Sequence, residues 1–106
     1  MFFKHSNNVL ALSLVLAFSN ASVASEDGRA VYIAVCSACH APENVLVSAP
    51  KAGDTAEWRK RLLKGIDAAA DNAIKGVGAM PPKGGHTELS RGEILRAIEF
   101  MQTPNK

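Results

Sequence analysis

Residues 36–40 read Cys36-Ser37-Ala38-Cys39-His40, with two cysteines three positions apart and a histidine directly after the second. At the end of a helix this spacing places both thiols on one side, where they can add to the two vinyl groups along one edge of a haem. The adjacent imidazole of His40 is then within reach of the iron. The pentapeptide therefore predicts one covalently attached haem c, with His40 as an iron ligand.

Three other kinds of site use paired cysteines. A thioredoxin-like dithiol has the same spacing but belongs with a βαβ pattern, whereas this chain has helical patterns. A zinc site needs four ligands, and beyond Cys36, Cys39 and His40 the chain after residue 24 offers only His86 and carboxylates. A disulfide between Cys36 and Cys39 would close a very short loop and stabilise little. We favour haem attachment over these three.

The first two dozen residues have the order of a secretory signal peptide. Lys4 precedes an apolar run over 9–18, and small residues follow as far as Ser22-Val23-Ala24. The run is shorter than the roughly 20 apolar residues that a membrane-spanning helix needs. We expect cleavage after Ala24, which makes 1–24 a leader and 25–106 a single domain in the periplasm. An uncleaved anchor is the alternative.

The composition of the chain argues against some classes of function. The chain has 106 residues, a formal net charge of +2 and 6% aromatic residues. A charge this small and so few aromatic rings argue against a nucleic-acid partner. A domain of this size also needs something beyond its own side chains to complete the core, and a covalent haem would do so.

From Ser25 onward the sequence predicts an all-α fold, because no stretch has the alternation of a β-strand. A loop over 41–53 should separate the first two helices. The expected helices run approximately from Asp27 to Cys36, from Asp54 to Gly65, from Asp67 to Lys75, and from Ser90 through Met101.

Terminal signals mark the ends of these helices. Gly76 should take a left-handed conformation after the third helix. Ser90 and Glu93 have the spacing of a capping box at the start of the last helix. Leu89 and Ile94 have the spacing of a hydrophobic staple, in which two apolar side chains pack across the helix start.

A loop rich in glycine and proline, 76–85, separates the third and last helices, and it carries Met80. Pro81 and Pro82 restrict the direction of this loop. Met101 has helical spacing from core positions of the last helix, so Met80 is the candidate for a sixth iron ligand. His86 is the competing ligand, and a Met80 that merely fills the core is the other alternative.

The chain resembles the class I monohaem cytochromes c, most closely the bacterial cytochrome c5 type. Two motifs carry this resemblance: the pentapeptide and the loop Gly78-Ala79-Met80-Pro81-Pro82-Lys83-Gly84-Gly85. The resemblance extends over nearly all of 25–106. It implies the cytochrome c fold, with about four helices around one haem. It also implies thioethers at Cys36 and Cys39, and iron ligation by His40 and Met80. Many cytochrome c5 proteins have an extra cysteine pair after the loop, whereas 86–89 has none.

The resemblance assigns roles to further residues. The carbonyl of Pro50 would accept the second ring N–H of His40. Trp58 and Arg61 would contact a haem propionate, since an indole N–H and a guanidinium both suit a carboxylate, although Trp58 can equally be ordinary core. The first and last helices would cross at three residues: Gly28, Tyr32 and Phe100.

The resemblance implies an electron-transfer protein, not an enzyme: a periplasmic single-electron carrier, monomeric, and either soluble or loosely membrane-associated. Its partners would be redox proteins such as a quinol-oxidising complex, a reductase or a terminal oxidase. Docking would use the haem edge, with Lys51 and Lys83 as charges on its rim. Two alternatives remain: a haem-based ligand-binding, sensor or catalytic protein with a labile sixth site, and a cytochrome subunit of a larger respiratory complex.

Overall fold

A computed structural model describes residues 27–104, so the expected leader over 1–24 and its cleavage site lie outside the described residues. Within 27–104, none of the helices has both the length and the apolar character of a membrane span.

The described residues form four helices and no strand, as the sequence predicts. A short 3-10 segment, Pro82–Gly85, lies in the loop between the last two helices, and an isolated bridge pairs Val77 with Met80. The helices are α1 over 27–40, α2 over Thr55–Arg61, α3 over Ile66–Lys75 and α4 over Arg91–Gln102.

Helix α1 carries Cys36 and runs to His40, directly before the predicted loop over 41–53. A π-helical turn over Tyr32–Cys36, closed by the bond from the Ser37 amide to the Tyr32 carbonyl, leads into a last α-helical turn over Ser37–His40. Residues 37–40 contain no glycine or proline that would break the helix. The backbone becomes extended at Ala41 because the next residue is a proline, which disfavours the helical conformation before it. Both cysteines and His40 therefore lie on the C-terminal turns of one continuous helix.

Helices α2 and α3 are joined by a turn. Asp54 caps α2 by accepting a hydrogen bond from the Glu57 amide at 3.1 Å. The helix ends at Arg61, earlier than the predicted end at Gly65.

The backbone conformation of Gly76 is not the left-handed helical one that the sequence predicts. Its φ is positive, at 83°, but its ψ of 150° places it in an extended region that is open essentially only to glycine. A Cβ there would lie 2.8 Å from the Met80 carbonyl oxygen and 2.9 Å from the Pro82 nitrogen. The loop therefore folds back directly over Gly76.

The start of α4 has the predicted arrangement. The Ser90 hydroxyl accepts from the Glu93 amide at 3.1 Å, and the Glu93 carboxylate accepts from the Ser90 amide at 3.0 Å. Leu89 and Ile94, the expected staple, are both buried. The capping box is confirmed, and it fixes the direction in which the loop enters α4.

Helices α1 and α4 cross at the residues that the resemblance implied. A Cβ on Gly28 would overlap the Arg96 carbonyl oxygen and lie 3.3 Å from the Phe100 Cβ. The rings of Tyr32 and Phe100 pack with their centroids 5.1 Å apart. The crossing is close because Gly28 has no side chain.

The buried core of the described residues is small. It is dominated by α4, and no large side chain in it is completely buried. Arg91 joins α4 to α3 through ion pairs of 2.7 Å to Asp71 and 3.3 Å to Asp67. The buried apolar residues are Ala52, Trp58, Ala70, Leu89, Ile94, Ala97, Ile98 and Met101.

We expect Gly28→Ala to lower the free energy of unfolding by about 1–3 kcal/mol, because the added methyl meets backbone atoms of α4 that cannot rotate away. Denaturant unfolding followed by circular dichroism measures this change. Gly92→Ala is the matched control: the closest contact of its Cβ would be the end of the flexible Arg96 side chain at 3.2 Å, and the Ser90 hydroxyl would lie at an ordinary 3.8 Å. It should therefore be neutral or stabilising by up to about 1 kcal/mol. Equal stabilities of the two variants would contradict a close crossing at Gly28.

Candidate functional site

A cavity of about 380 Å³ lies between the end of α1, the segment 47–50, the Met80 loop and α4. Its floor is apolar, formed by Ile94, Ile98 and Met101 of α4. Six of the seven site residues predicted from the sequence line this one cavity: Cys36, Cys39, His40, Pro50, Arg61 and Met80.

His40 is buried, and its Nδ1 lies 2.7 Å from the Pro50 carbonyl oxygen. A carbonyl only accepts hydrogen bonds, so Nδ1 carries the proton and Nε2 keeps its lone pair. Burial lowers the pKa of His40; the bond to Pro50 opposes this shift and the Lys51 charge adds to it. The site therefore holds a neutral imidazole, the form that binds a metal.

The segment that carries the Pro50 carbonyl is itself fixed on both sides. The Ala52 amide donates to the His40 carbonyl at 2.8 Å, and the Lys51 ammonium donates to the Cys39 carbonyl at 2.9 Å. These bonds pin residues 50–52 to the end of α1. The orientation of the His40 ring is thus set by backbone atoms.

Trp58 is not among the residues that line the cavity, and its expected contact with a propionate stays a prediction. Its indole N–H donates to the Lys51 carbonyl at 2.9 Å, so this donor is already satisfied. The ring is 5% exposed and lies behind His40, with the two ring centroids 6.2 Å apart. Trp58 is therefore a core residue, and its hydrogen bond supports the segment 50–52.

Arg61 lines the cavity with a side chain that is 52% exposed. Its Nε donates to the Glu57 carboxylate at 3.1 Å. A guanidinium has five N–H donors, so this bond leaves others for an anionic group at the cavity mouth.

Met80 lines the cavity and lies in a turn that is closed by two backbone hydrogen bonds. The Val77 amide donates to the Met80 carbonyl at 3.0 Å, and the Met80 amide donates to the Val77 carbonyl at 2.9 Å. The following turn is closed by the bond from the Gly84 amide to the Pro81 carbonyl at 3.0 Å. Backbone bonds on both sides therefore set the shape of the loop that carries the thioether.

His86, the competing ligand, is not among the residues that line the cavity. Its side chain is 46% exposed, and Nδ1 lies 3.2 Å from a Glu88 carboxylate oxygen. Of the two candidate side chains, the structure brings only Met80 to the cavity that contains His40.

The alternative uses of the cysteines fit this geometry poorly. Burial raises the pKa of Cys36 to about 11, whereas a reactive dithiol needs a lowered pKa. Across 27–104 there is no group of three or more histidine, cysteine or acidic side chains able to hold a metal ion such as zinc.

Sequence reasoning missed the hydrogen bonds made by two lysines: Lys83, which lines the cavity, and Lys51, the neighbour of the lining residue Pro50. Lys51 and Lys83 were expected to present docking charges, yet both ammonium groups donate to backbone carbonyls. Lys51 bonds to Val47 as well as to Cys39, and Lys83 bonds to Thr87 and Leu89. No local pattern in the sequence signals these bonds, because the acceptors are main-chain atoms in irregular segments.

Residues 23–101 match the family described as "Cytochrome C oxidase, cbb3-type, subunit III". Among curated relatives, cytochrome c-555 of Chlorobaculum thiosulfatiphilum is 36% identical over 83 residues, which cover 74% of this chain and 94% of the relative. Cytochrome c5 of Ectopseudomonas mendocina is 43% identical over 68 residues, 62% of this chain and 76% of the relative.

Cytochrome c5 of Azotobacter vinelandii is 37% identical over 79 residues, which cover 73% of this chain and 93% of the relative. A similar solved structure is a chain in the "Crystal structure of electron transfer complex of nitrite reductase with cytochrome c". It is 37% identical, with a TM-score of 0.63, and the match covers 72% of this chain and 90% of that one.

We expect Trp58→Phe to destabilise the protein by about 0.5–1.5 kcal/mol, because it removes the hydrogen bond to the Lys51 carbonyl and keeps most of the ring. Thermal unfolding followed by circular dichroism measures the loss. The control is Tyr32→Phe, which removes a hydroxyl that has no hydrogen-bond partner within 27–104 and should change stability little. An unchanged melting temperature for Trp58→Phe would mean that its N–H does not support the segment 50–52.

Proposed function

The chain belongs to the class I monohaem cytochromes c, and from that premise we propose that it is a diffusible periplasmic carrier of single electrons with His40 and Met80 as axial ligands. The small cytochromes c to which it is similar act as electron carriers. The observation that supports the proposal is the single cavity lined by Cys36, Cys39, His40 and Met80.

The residues around the cavity fit haem c, the covalently bound cofactor of this family. Two thiols at the end of one helix suit thioether formation, in which each S–H adds across a vinyl double bond. The neutral imidazole of His40 and the thioether of Met80 would both serve as ligands of the haem iron. The floor of Ile94, Ile98 and Met101 suits an apolar macrocycle.

Bound haem supplies an iron that gains or loses one electron. The Pro50 carbonyl, by accepting the hydrogen bond from His40 Nδ1–H, makes Nε2 a stronger electron-pair donor to a metal and holds the ring in one orientation. The thioether of Met80 favours the reduced state and raises the reduction potential. Most of the cavity lining is apolar, and burial of this kind is one of the factors by which a protein tunes the potential of a bound haem.

The partners that we propose are redox proteins: a reductase, a terminal oxidase or a quinol-oxidising complex. The similar solved structure is that of an electron transfer complex of nitrite reductase with cytochrome c, and this likeness supports a reductase. The carrier would act as a monomer in such transient encounters.

A second candidate is a cytochrome subunit of a respiratory complex, since the matching family is described as an oxidase subunit. Affinity purification of the tagged chain under mild conditions distinguishes the two. A stable co-purifying oxidase would favour the subunit, and a chain that elutes alone would favour the carrier.

We expect the double variant Cys36→Ala, Cys39→Ala to lose most of its helix content and its cooperative melt. The described core is too small to hold the fold without the covalent cofactor. Far-UV circular dichroism of the purified proteins tests this. Ser37→Ala, which keeps both thiols at their spacing, is the control and should stay folded. A double variant with native helix content and a cooperative melt would contradict the prediction.

We expect Met80→Ala to abolish the weak near-infrared band that a methionine–iron bond gives in the ferric protein. It should also lower the reduction potential by at least about 100 mV, within the range of about 0.8 V over which axial ligands set haem potentials. Absorption spectroscopy and potentiometry measure the two effects. His86→Ala is the matched control and should leave both nearly unchanged. The reverse outcome would move the sixth ligand to His86.

A further inference from the structure

Lys83 has an unusual backbone conformation. Its φ of 54° and ψ of 30° are left-handed, and within 27–104 it is the one residue other than glycine with a positive φ. This conformation is unfavourable for a side chain such as lysine, and it persists only where the surrounding contacts compensate. The position follows Met80 by three residues, in the 3-10 segment that closes the Met80 loop.

The side chain of Lys83 supplies those contacts. Its ammonium donates to the Leu89 carbonyl at 2.7 Å and to the Thr87 carbonyl at 3.2 Å. Leu89 is buried and directly precedes Ser90, the N-cap of α4. Hydrogen bonds from a charged donor are stronger than neutral ones, so this pair is a firm link between the loop and the base of α4.

The backbone hydrogen bonds of the loop join residues closer in sequence than those linked by the Lys83 side chain. Val77 pairs with Met80, and Gly84 donates to Pro81, so each of these bonds closes a turn of four residues. Such turns set the shape of the loop but do not attach it to α4. The Lys83 ammonium spans six residues and makes that attachment directly.

We propose that Lys83 is a positioning residue: its ammonium ties the Met80 loop to the base of α4 and so keeps the Met80 thioether at the cavity. The inference rests on the proposed function, in which Met80 binds the iron. Lys83 acts through the loop backbone. Without the tie the loop opens more often, Met80 leaves the sixth position more often, and an external ligand competes more effectively for it.

The test is the affinity of imidazole for the ferric holoprotein, measured in every variant from the change in the visible haem absorption spectrum. Lys83→Met keeps the length of the side chain but has no donor. Lys83→Asn tolerates the left-handed backbone but is too short to reach either carbonyl. We expect both variants to bind imidazole about tenfold more tightly than the wild type, as the loss of charged hydrogen bonds implies.

Lys64→Met is the matched control, because Lys64 is an exposed lysine with no side-chain hydrogen bond within 27–104. It should bind imidazole with wild-type affinity. Far-UV circular dichroism, at a temperature where every variant is fully folded, separates loop opening from general destabilisation.

Wild-type imidazole affinity in both Lys83 variants would overturn the inference alone. If those same variants instead slowed electron transfer to a reductase, Lys83 would be a docking charge, which also overturns it. A Met80→Ala variant that bound imidazole no more tightly than the wild type would overturn the proposed ligation, and the inference with it. Tighter binding in both Lys83 variants, but not in Lys64→Met, would support it.

Discussion

The hydrogen bond between His40 Nδ1 and the Pro50 carbonyl joins the two segments on which the cavity depends. One partner ends α1, and the other belongs to the loop that leads into α2. A single bond of this kind leaves a ring free to tilt, but the Ala52 amide and the Lys51 ammonium fix the same loop to the same helix end. Because the acceptor at Nδ1 is a main-chain carbonyl in a segment fixed in this way, the imidazole has one tautomer and one direction.

The close crossing of α1 and α4 determines what lies opposite that imidazole. Gly28 lets the two backbones approach, and the packing of Tyr32 on Phe100 fixes the contact further along. With α4 held there, its buried side chains form an apolar floor next to the two thiols of α1. The cavity is thus a consequence of helix packing at one end of α1 and of hydrogen bonding at the other.

Much of this arrangement is predictable from sequence because it is local. The capping box of Ser90 and Glu93 and the Met80 loop all depend on neighbours within a few residues. The end of α1 before Pro42 is predictable for the same reason. The early end of α2 at Arg61 is not, because no glycine or proline lies between Arg61 and Gly65. The acceptors of Trp58 and Lys83 were missed for a different reason: a long polar side chain finds its partner only after the backbone has folded.

The two sides of the cavity are held by different kinds of structure. His40 lies on a continuous helix and is fixed by several backbone bonds, so moving it means unfolding the end of α1. Met80 lies on a loop closed by short turns, and one lysine links that loop to α4. Loops whose attachments are few open at a lower cost in free energy than helices. Variation in the Met80 loop can therefore alter access to the cavity, whereas the histidine side stays constant.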